Sequence, residues 1–180
     1  MNTEALAPLA PPAVAVRPVG REDAAQLMQL CNEHAEQIAF ERLPYGPTRQ
    51  DPLELLEALF EPPLRAWAWL GHAEGEAIGY AAATVGFSVL ERAYYLQLEQ
   101  LHVRASWRAL GVDLLLLQQA QALAVRLGCL NLQWQAPAWS AAVRQLSSRT
   151  RATRIETVRY VLPLHARAVM DSNAADPGHV

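Results

Sequence analysis

The chain contains no lysine, so all fifteen Lys and Arg positions are arginine, set against eighteen Asp and Glu for a formal charge of −3. The missing lysine reads as compositional bias. A near-neutral balance excludes a general nucleic-acid binder, which carries a basic stripe. The one basic cluster, Arg144, Arg149, Arg151 and Arg154, reads as solvated helix surface. Cysteine is scarce: Cys31 and Cys129 lie far apart with no metal-ligand spacing, which predicts buried, reduced thiols and no zinc site. The five histidines are scattered singly and form no ligand set, so no metal is expected. Long apolar runs are also missing. Leu114 to Leu117 is the densest, and Gln118 and Gln119 follow at once, so no membrane span is expected. Met1 to Pro12 carries Glu4 and several prolines but no basic segment, which makes a poor secretory signal. A soluble, cytoplasmic protein is expected.

What is present is a chain of 180 residues, 52% hydrophobic, enough for one domain with a sizeable core. Residues 1–13, rich in Ala and Pro, predict a disordered leader. Ala13 to Val19 alternates as a short strand, and Gly20 breaks it. Arg21 to Phe40 repeats apolar residues at helical spacing. Asp51 is a fair N-cap with Pro52 at the first helical position, and the helix runs to Phe60 before Pro62 and Pro63. Arg65 to Leu70, with Trp67 and Trp69 on one face, Glu76 to Phe87 and Glu91 to Val103 read as strands, with Gly71 to Gly75 as a hairpin turn. A helix follows to about Leu127, where Gly128 stops it. Leu130 to Gln135 predicts a short strand, Pro137 to Thr150 a helix, and Thr153 to Leu162 a last strand. The folded domain then covers 14–163, with a frayed tail over 164–180. The order β-α-α-β-β-β-α-β-α-β predicts a mixed α/β (α+β) sheet, with a parallel crossover between Leu96 and Gln135.

Leu98 to Gln119 carries the chemistry. An apolar strand ends near Val103, a short polar connection follows over Arg104 to Ser106, and Arg108-Ala-Leu-Gly111-Val-Asp113 opens a helix. Strand, tight turn and helix N-terminus direct backbone N–H groups at one spot, which suits phosphate or another anion. Asp113 lies in the first helical turn. As an internal cap its carboxylate would stabilise the helix by roughly 0.3–1 kcal/mol. Facing a bound anion instead, like charges about 5 Å apart at an effective dielectric of about 20 repel by roughly 3 kcal/mol.

The element order and the Arg108-x-x-Gly111-x-Asp113 turn resemble the GNAT superfamily of acyl-CoA-dependent N-acetyltransferases, whose signature is Gln/Arg-x-x-Gly-x-Gly/Ala. Within it the chain is most similar to the diamine (spermidine/spermine-type) acetyltransferases. Asp51 to Phe60 resembles their second helix, Tyr95 to Val103 their Tyr-Leu-Glu-Asp-x-x-Val strand, and Trp107-Arg108-x-x-Gly111 their Tyr-Arg-Gly-x-Gly turn. Gly128-Cys129, Trp134 and Trp139-Ser140 resemble their Gly-Cys strand and Trp-Asn. The likeness covers about residues 14 to 163. Asp113 stands where Gly or Ala is usual, Ser140 where Asn is usual, Ser147 where a Tyr protonates the leaving thiolate, and Arg151 where Gly is usual.

The resemblance implies acetyl transfer from acetyl-CoA to a primary amine of a small molecule. Such transfer needs a base for the amine proton, a donor for the carbonyl oxygen and a proton for the thiolate. By family position the backbone at Leu101, His102 and Val103 would pair with pantetheine and polarise the carbonyl. The N–H groups of Ala109, Leu110, Gly111, Val112, Asp113 and Leu114 would hold the pyrophosphate, with Arg108 as compensating charge, and Ser140 would also line the donor site. Glu99 is the candidate base, with a surface strand carboxylate as the competing reading. His102 is a second candidate base or a packed strand residue. Ser147 takes the position of the acid, and Tyr94, Tyr95 or Tyr160 could replace it. Glu33 and Tyr45 would face the acceptor, with Glu36 near them. A homodimer is expected by analogy alone. The departures at Asp113 and Ser147 leave a second reading, a GNAT-fold protein without transferase activity that serves as a binding or interaction module.

Overall fold

The computed structural model describes residues 13–40, 52–135, 141–158 and 160. Residues 1–12 of the expected leader, Asp51 and the expected tail over 164–180 lie outside the described residues. Strands β1 (Val14–Pro18), β2 (Ala66–Ala73), β3 (Glu76–Ser88), β4 (Ala93–Val103) and β5 (Leu132–Trp134) form one sheet in sequence order. The first three pairings are antiparallel, and β4 pairs with β5 in parallel, Leu96 opposite Leu132 and Leu98 opposite Trp134. Helices α1 (Ala24–Phe40), α2 (Leu53–Phe60), α3 (Val112–Arg126) and α4 (Ala141–Thr150) complete the described elements. The mixed sheet and the parallel crossover match the expectation.

Period-two patterning divides the core between two faces of the sheet. On one face Trp69, Ala81, Ala83, Leu96, Leu98 and Val103 bury against Val112, Leu116, Ala120 and Leu123 of α3 and Leu146 of α4. On the other, Ala68, Leu70, Ala77 and Tyr80 bury against Leu27 and Leu30 of α1 and Leu59 of α2. Leu27, Leu30, Leu70, Ile78, Leu96 and Leu116 are fully buried, each contributing roughly 1.5–3 kcal/mol of apolar transfer. A helix buried along most of its length needs firm ends. At the C-terminus of α3, Cys129 N–H donates to Ala124 C=O at 2.9 Å and Gly128 N–H to Val125 C=O at 3.1 Å, with Gly128 at φ 68°. That is a Schellman cap, the stop that Gly128 predicts.

Three expectations change. The β2–β3 turn is only Glu74-Gly75, both at positive φ, a two-residue hairpin whose strands run on to Ala73 and Glu76. Gly71 therefore lies inside β2, buried, where a Cβ would meet Val112 Cγ1 of α3 at 3.0 Å; the glycine admits the helix and does not make the turn. Pro52, not a first-turn residue, occupies the N-cap of α2. The strand expected over Thr153 to Leu162 is not formed over 152–158, where the chain is irregular, with Ile155 and Val158 exposed. Alternation alone does not make a strand without a partner edge; the remainder of that span, apart from Tyr160, lies outside the described residues.

The closest backbone approach in the sheet is at Gly79 of β3. A Cβ there would sit 2.6 Å from the His102 carbonyl oxygen and 3.1 Å from Val103 Cα. Both are main-chain atoms of β4, so neither can turn aside. Gly79→Ala is expected to lower the unfolding free energy by about 1–3 kcal/mol, read from urea denaturation midpoints at constant slope.

Candidate functional site

The site begins with a miscount between β3 and β4. Ala83 pairs with Leu98, but the next residue along β3, Ala82, pairs with Gln100. Glu99 is thus an extra residue on β4, a β-bulge, which locally bends the strand and re-aims a side chain. The sequence carries a trace of it: apolar residues on the α3 face fall at Leu96 and Leu98, then at Leu101 and Val103, a step of three where alternation gives two.

The bulge also shifts the phase of the backbone. Before it, Leu96 N–H donates to Asn131 C=O (3.0 Å) and Tyr94 C=O accepts from Leu130 N–H (2.7 Å), so even-numbered residues serve β5. After it, Arg104 N–H donates to Ile78 of β3 (2.9 Å), so even residues serve β3 and odd ones face outward. Leu101 and Val103 thus present main-chain groups to the open side of β4, where no described strand pairs beyond Leu98. His102 does not: it pairs inward with Tyr80. This corrects the expectation that all three backbones line one edge.

After Val103 the chain winds into a 3₁₀ turn over Ala105–Leu110, then reverses through Gly111 at φ 73° to start α3. Leu114 and Leu115 N–H both donate to Gly111 C=O (3.1 and 3.2 Å). Later amides of a 3₁₀ turn bond within it, so Ala109, Leu110 and Leu114 leave the expected donor set. Val112 and Asp113 remain as the amides the helix cannot satisfy itself. Asp113 is the second residue of α3, and its Oδ1 is buried without a hydrogen-bond partner among the described residues.

The cations are rearranged as well. Arg108 turns back, donating from Nε to Val103 C=O (2.9 Å) and from Nη2 to Gln37 of α1 (3.0 Å). Arg149 of α4 is exposed, as expected, and its Nη2 lies 3.7 Å from the point a Cβ on Gly111 would occupy. Only the packing of α4 against the α3 core, through Leu146, delivers it there.

On the α1 face, Glu33 is not open to a cationic amine. Arg104 grips both its oxygens at 2.8 Å, which holds the carboxyl below its ordinary range. Glu99 is exposed, and its Oε1 accepts from Thr84 Oγ1 at 2.7 Å. His102 is buried and stacks on His34 with ring centroids 4.7 Å apart, while His34 Nδ1 lies 2.9 Å from Tyr80 Oη. Burial, then the neighbouring His34, Arg108 and Arg104, pull His102 down to about 4. Burial likewise raises the Tyr80 phenol far above its ordinary value. His102 is a packed, neutral ring and a weak base. Tyr94 and Tyr95 pair with Phe87 and Gly86 at the far end of the β3–β4 hairpin, away from the open edge. Tyr160 is exposed. Ser147 is half-buried on α4 beside Leu146. Tyr45 and Ser140 lie outside the described residues. Sequence reasoning missed Thr84 and Arg149, because a side chain's cross-strand or cross-helix neighbour has no local signal.

Solved structures share this fold. An aminoglycoside acetyltransferase from an uncultured soil metagenomic sample, in complex with sisomicin, superposes with a TM-score of 0.65 at 15% identity, over 83% of this chain and 95% of that one. The ribosomal-protein-alanine N-acetyltransferase from Brucella melitensis biovar Abortus 2308 gives 0.65 at 18%, over 84% and 99%. The aminoglycoside N-acetyltransferase AAC(6')-Iy in complex with CoA gives 0.70 at 17%, over 88% and 99%. Neither a protein-family model nor a curated protein sequence matches the chain. At these identities the likeness is one of fold: this is the mixed α/β fold of the GNAT acetyltransferases.

The His102 environment has a consequence for acid stability. Its folded pKa of about 4 lies below the ordinary value of 6.5, so on acidification the unfolded chain takes up the proton first and stability falls across that window. Asp23, held to about 2 chiefly by Arg17 against an ordinary value of 3.8, adds a second loss at lower pH with the same sign. His102→Gln is expected to remove most of the decline between about pH 6.5 and 4 while leaving the lower one, as measured by urea denaturation on either side of each window.

Proposed function

We propose that the chain is an N-acetyltransferase of the GNAT type, moving an acetyl group from acetyl-CoA to a primary amine of a small molecule. One observation carries the reading: the β4 edge at Leu101 and Val103, which no described strand pairs, leads through the 3₁₀ turn into the left-handed Gly111 turn. An extended pantetheine arm fits the first by strand-like pairing, and a pyrophosphate suits the second, where the Val112 and Asp113 amides meet the helix N-terminus. Arg149 supplies the positive charge there; Arg108 is engaged elsewhere.

In this reading Glu99 takes the proton that the amine nitrogen loses as it attacks the thioester carbon. The Leu101 N–H donates to the carbonyl oxygen while charge builds on it. The carbon–sulfur bond then breaks, and the thiolate takes a proton from Ser147 or from water. Asp113 weakens the donor site without abolishing it, since its charge lies beside the pyrophosphate position and Arg149 offsets it. The named acceptors of the similar solved proteins, an aminoglycoside among them, are amines and are compatible with this chemistry.

Calorimetric titration with acetyl-CoA at one salt concentration tests the donor site. The parent protein should bind, Asp113→Asn should bind at least about tenfold more tightly on the roughly 3 kcal/mol repulsion of like charges about 5 Å apart, and Arg149→Gln should bind more weakly. Absence of heat from both the parent and Asp113→Asn would remove the acetyltransferase reading and favour a binding module. The base is tested separately: Glu99→Gln should lower kcat by roughly a hundredfold or more and leave acetyl-CoA affinity unchanged. Equal losses in both would make Glu99 structural.

A further inference from the structure

We infer that Thr84 is a positioning residue that sets the direction of the Glu99 carboxylate, an inference that rests on the acetyltransferase reading. The hydrogen bond from Thr84 Oγ1 to Glu99 Oε1, at 2.7 Å, crosses from β3 to the bulge of β4. Directly opposite Thr84 stands Gln97; Glu99, two residues on at the bulge, reaches Thr84 diagonally across the two strands. A bulge leaves its residue out of the ladder, so the backbone at Glu99 is the least constrained on the strand at the place where aim matters most.

Thr84 supplies the missing constraint. Its own backbone is held on both sides, by Ala66 of β2 and by Gln97 of β4. Its side chain is β-branched and stiff at χ1, so the hydroxyl is a fixed donor. It occupies Oε1 and leaves Oε2 to receive a proton. A longer or straighter side chain at position 84 would give a mobile donor, and an apolar one would give none. Thr84 touches no reacting atom and acts only through Glu99.

Two measurements test the assignment. The first is thiol release from acetyl-CoA with sisomicin or spermidine as the amine. Thr84→Val keeps the branched shape and removes the donor; it should lower kcat about ten- to a hundredfold, as misplacement of a catalytic group by about 1 Å does. The KM for acetyl-CoA and the melting temperature should not move. Thr84→Ser should restore most of the rate, and Thr84→Val placed on Glu99→Gln should cost nothing further. A full loss that persists on the Glu99→Gln background overturns the inference, because Thr84 would then act independently of Glu99. The second measurement is the crystal structure of Thr84→Val, which needs no acceptor. Glu99 should leave its parent position; a carboxylate that stays in place overturns the inference. A displaced Glu99 together with a Glu99→Gln variant of unchanged rate would retain the positioning role and remove the base from the acetyltransferase reading.

Discussion

The structure depends on one constraint, that a strand carrying an extra residue cannot keep both of its edges in phase. Up to Leu98, β4 serves β3 on one edge and β5 on the other. Past Glu99 the hydrogen-bonding phase toward β5 is reversed, while the ladder with β3 resumes at Gln100. Antiparallel ladders absorb such an insertion by twisting and bending. The result is a stretch of an interior strand whose backbone donors and acceptors are directed outward, with no described strand beside it. The opening, the direction of Glu99 and the approach of the chain to the Gly111 turn all follow from that insertion.

The surroundings are built to hold this geometry rigid. Gly79 brings β3 close against His102 and Val103, so the strand beyond the bulge has a firm floor. Arg104 and Arg108, four residues apart, reach Glu33 and Gln37, also four apart, and join the start of the 3₁₀ turn to α1 in two rungs. The Glu33 rung is a fork-to-fork pair of 2.8 Å bonds, which fixes direction as well as distance. On the opposite face α3, with Val112 and Leu116 buried, packs beneath the same strand. A precise site needs its supporting residues locked by packing, and here the support comes from both faces.

Much of this was legible in the residues. Periodicity located the helices and the long strands, Gly128 marked the end of α3, and the strand–turn–helix from Leu98 was legible as such. What was not legible depends on partners distant in sequence. Asp113 in a first helical turn reads as a cap by composition, yet its Oδ1 is buried without a hydrogen-bond partner among the described residues. Glu33 reads as a free carboxylate until Arg104, far along the chain, arrives beside it. Arg149 reads as surface and is exposed, but its nearness to Gly111 follows only from the docking of α4. Thr153 to Leu162 alternates as a strand should, and over 152–158 it forms none, because pairing is decided by the edge that receives it. The bulge was half legible: the step of three between Leu98 and Leu101 is present in the sequence, but alternation is commonly imperfect.

An open strand edge is also a hazard, since any extended segment, including one from another copy of the same chain, can pair with it. Proteins blunt such edges with charge, and Arg108 does so here. Its Nε occupies the Val103 carbonyl, so an incoming strand meets a guanidinium where it needs an acceptor. Any segment that pairs with this edge at Val103 has to displace or bypass that side chain.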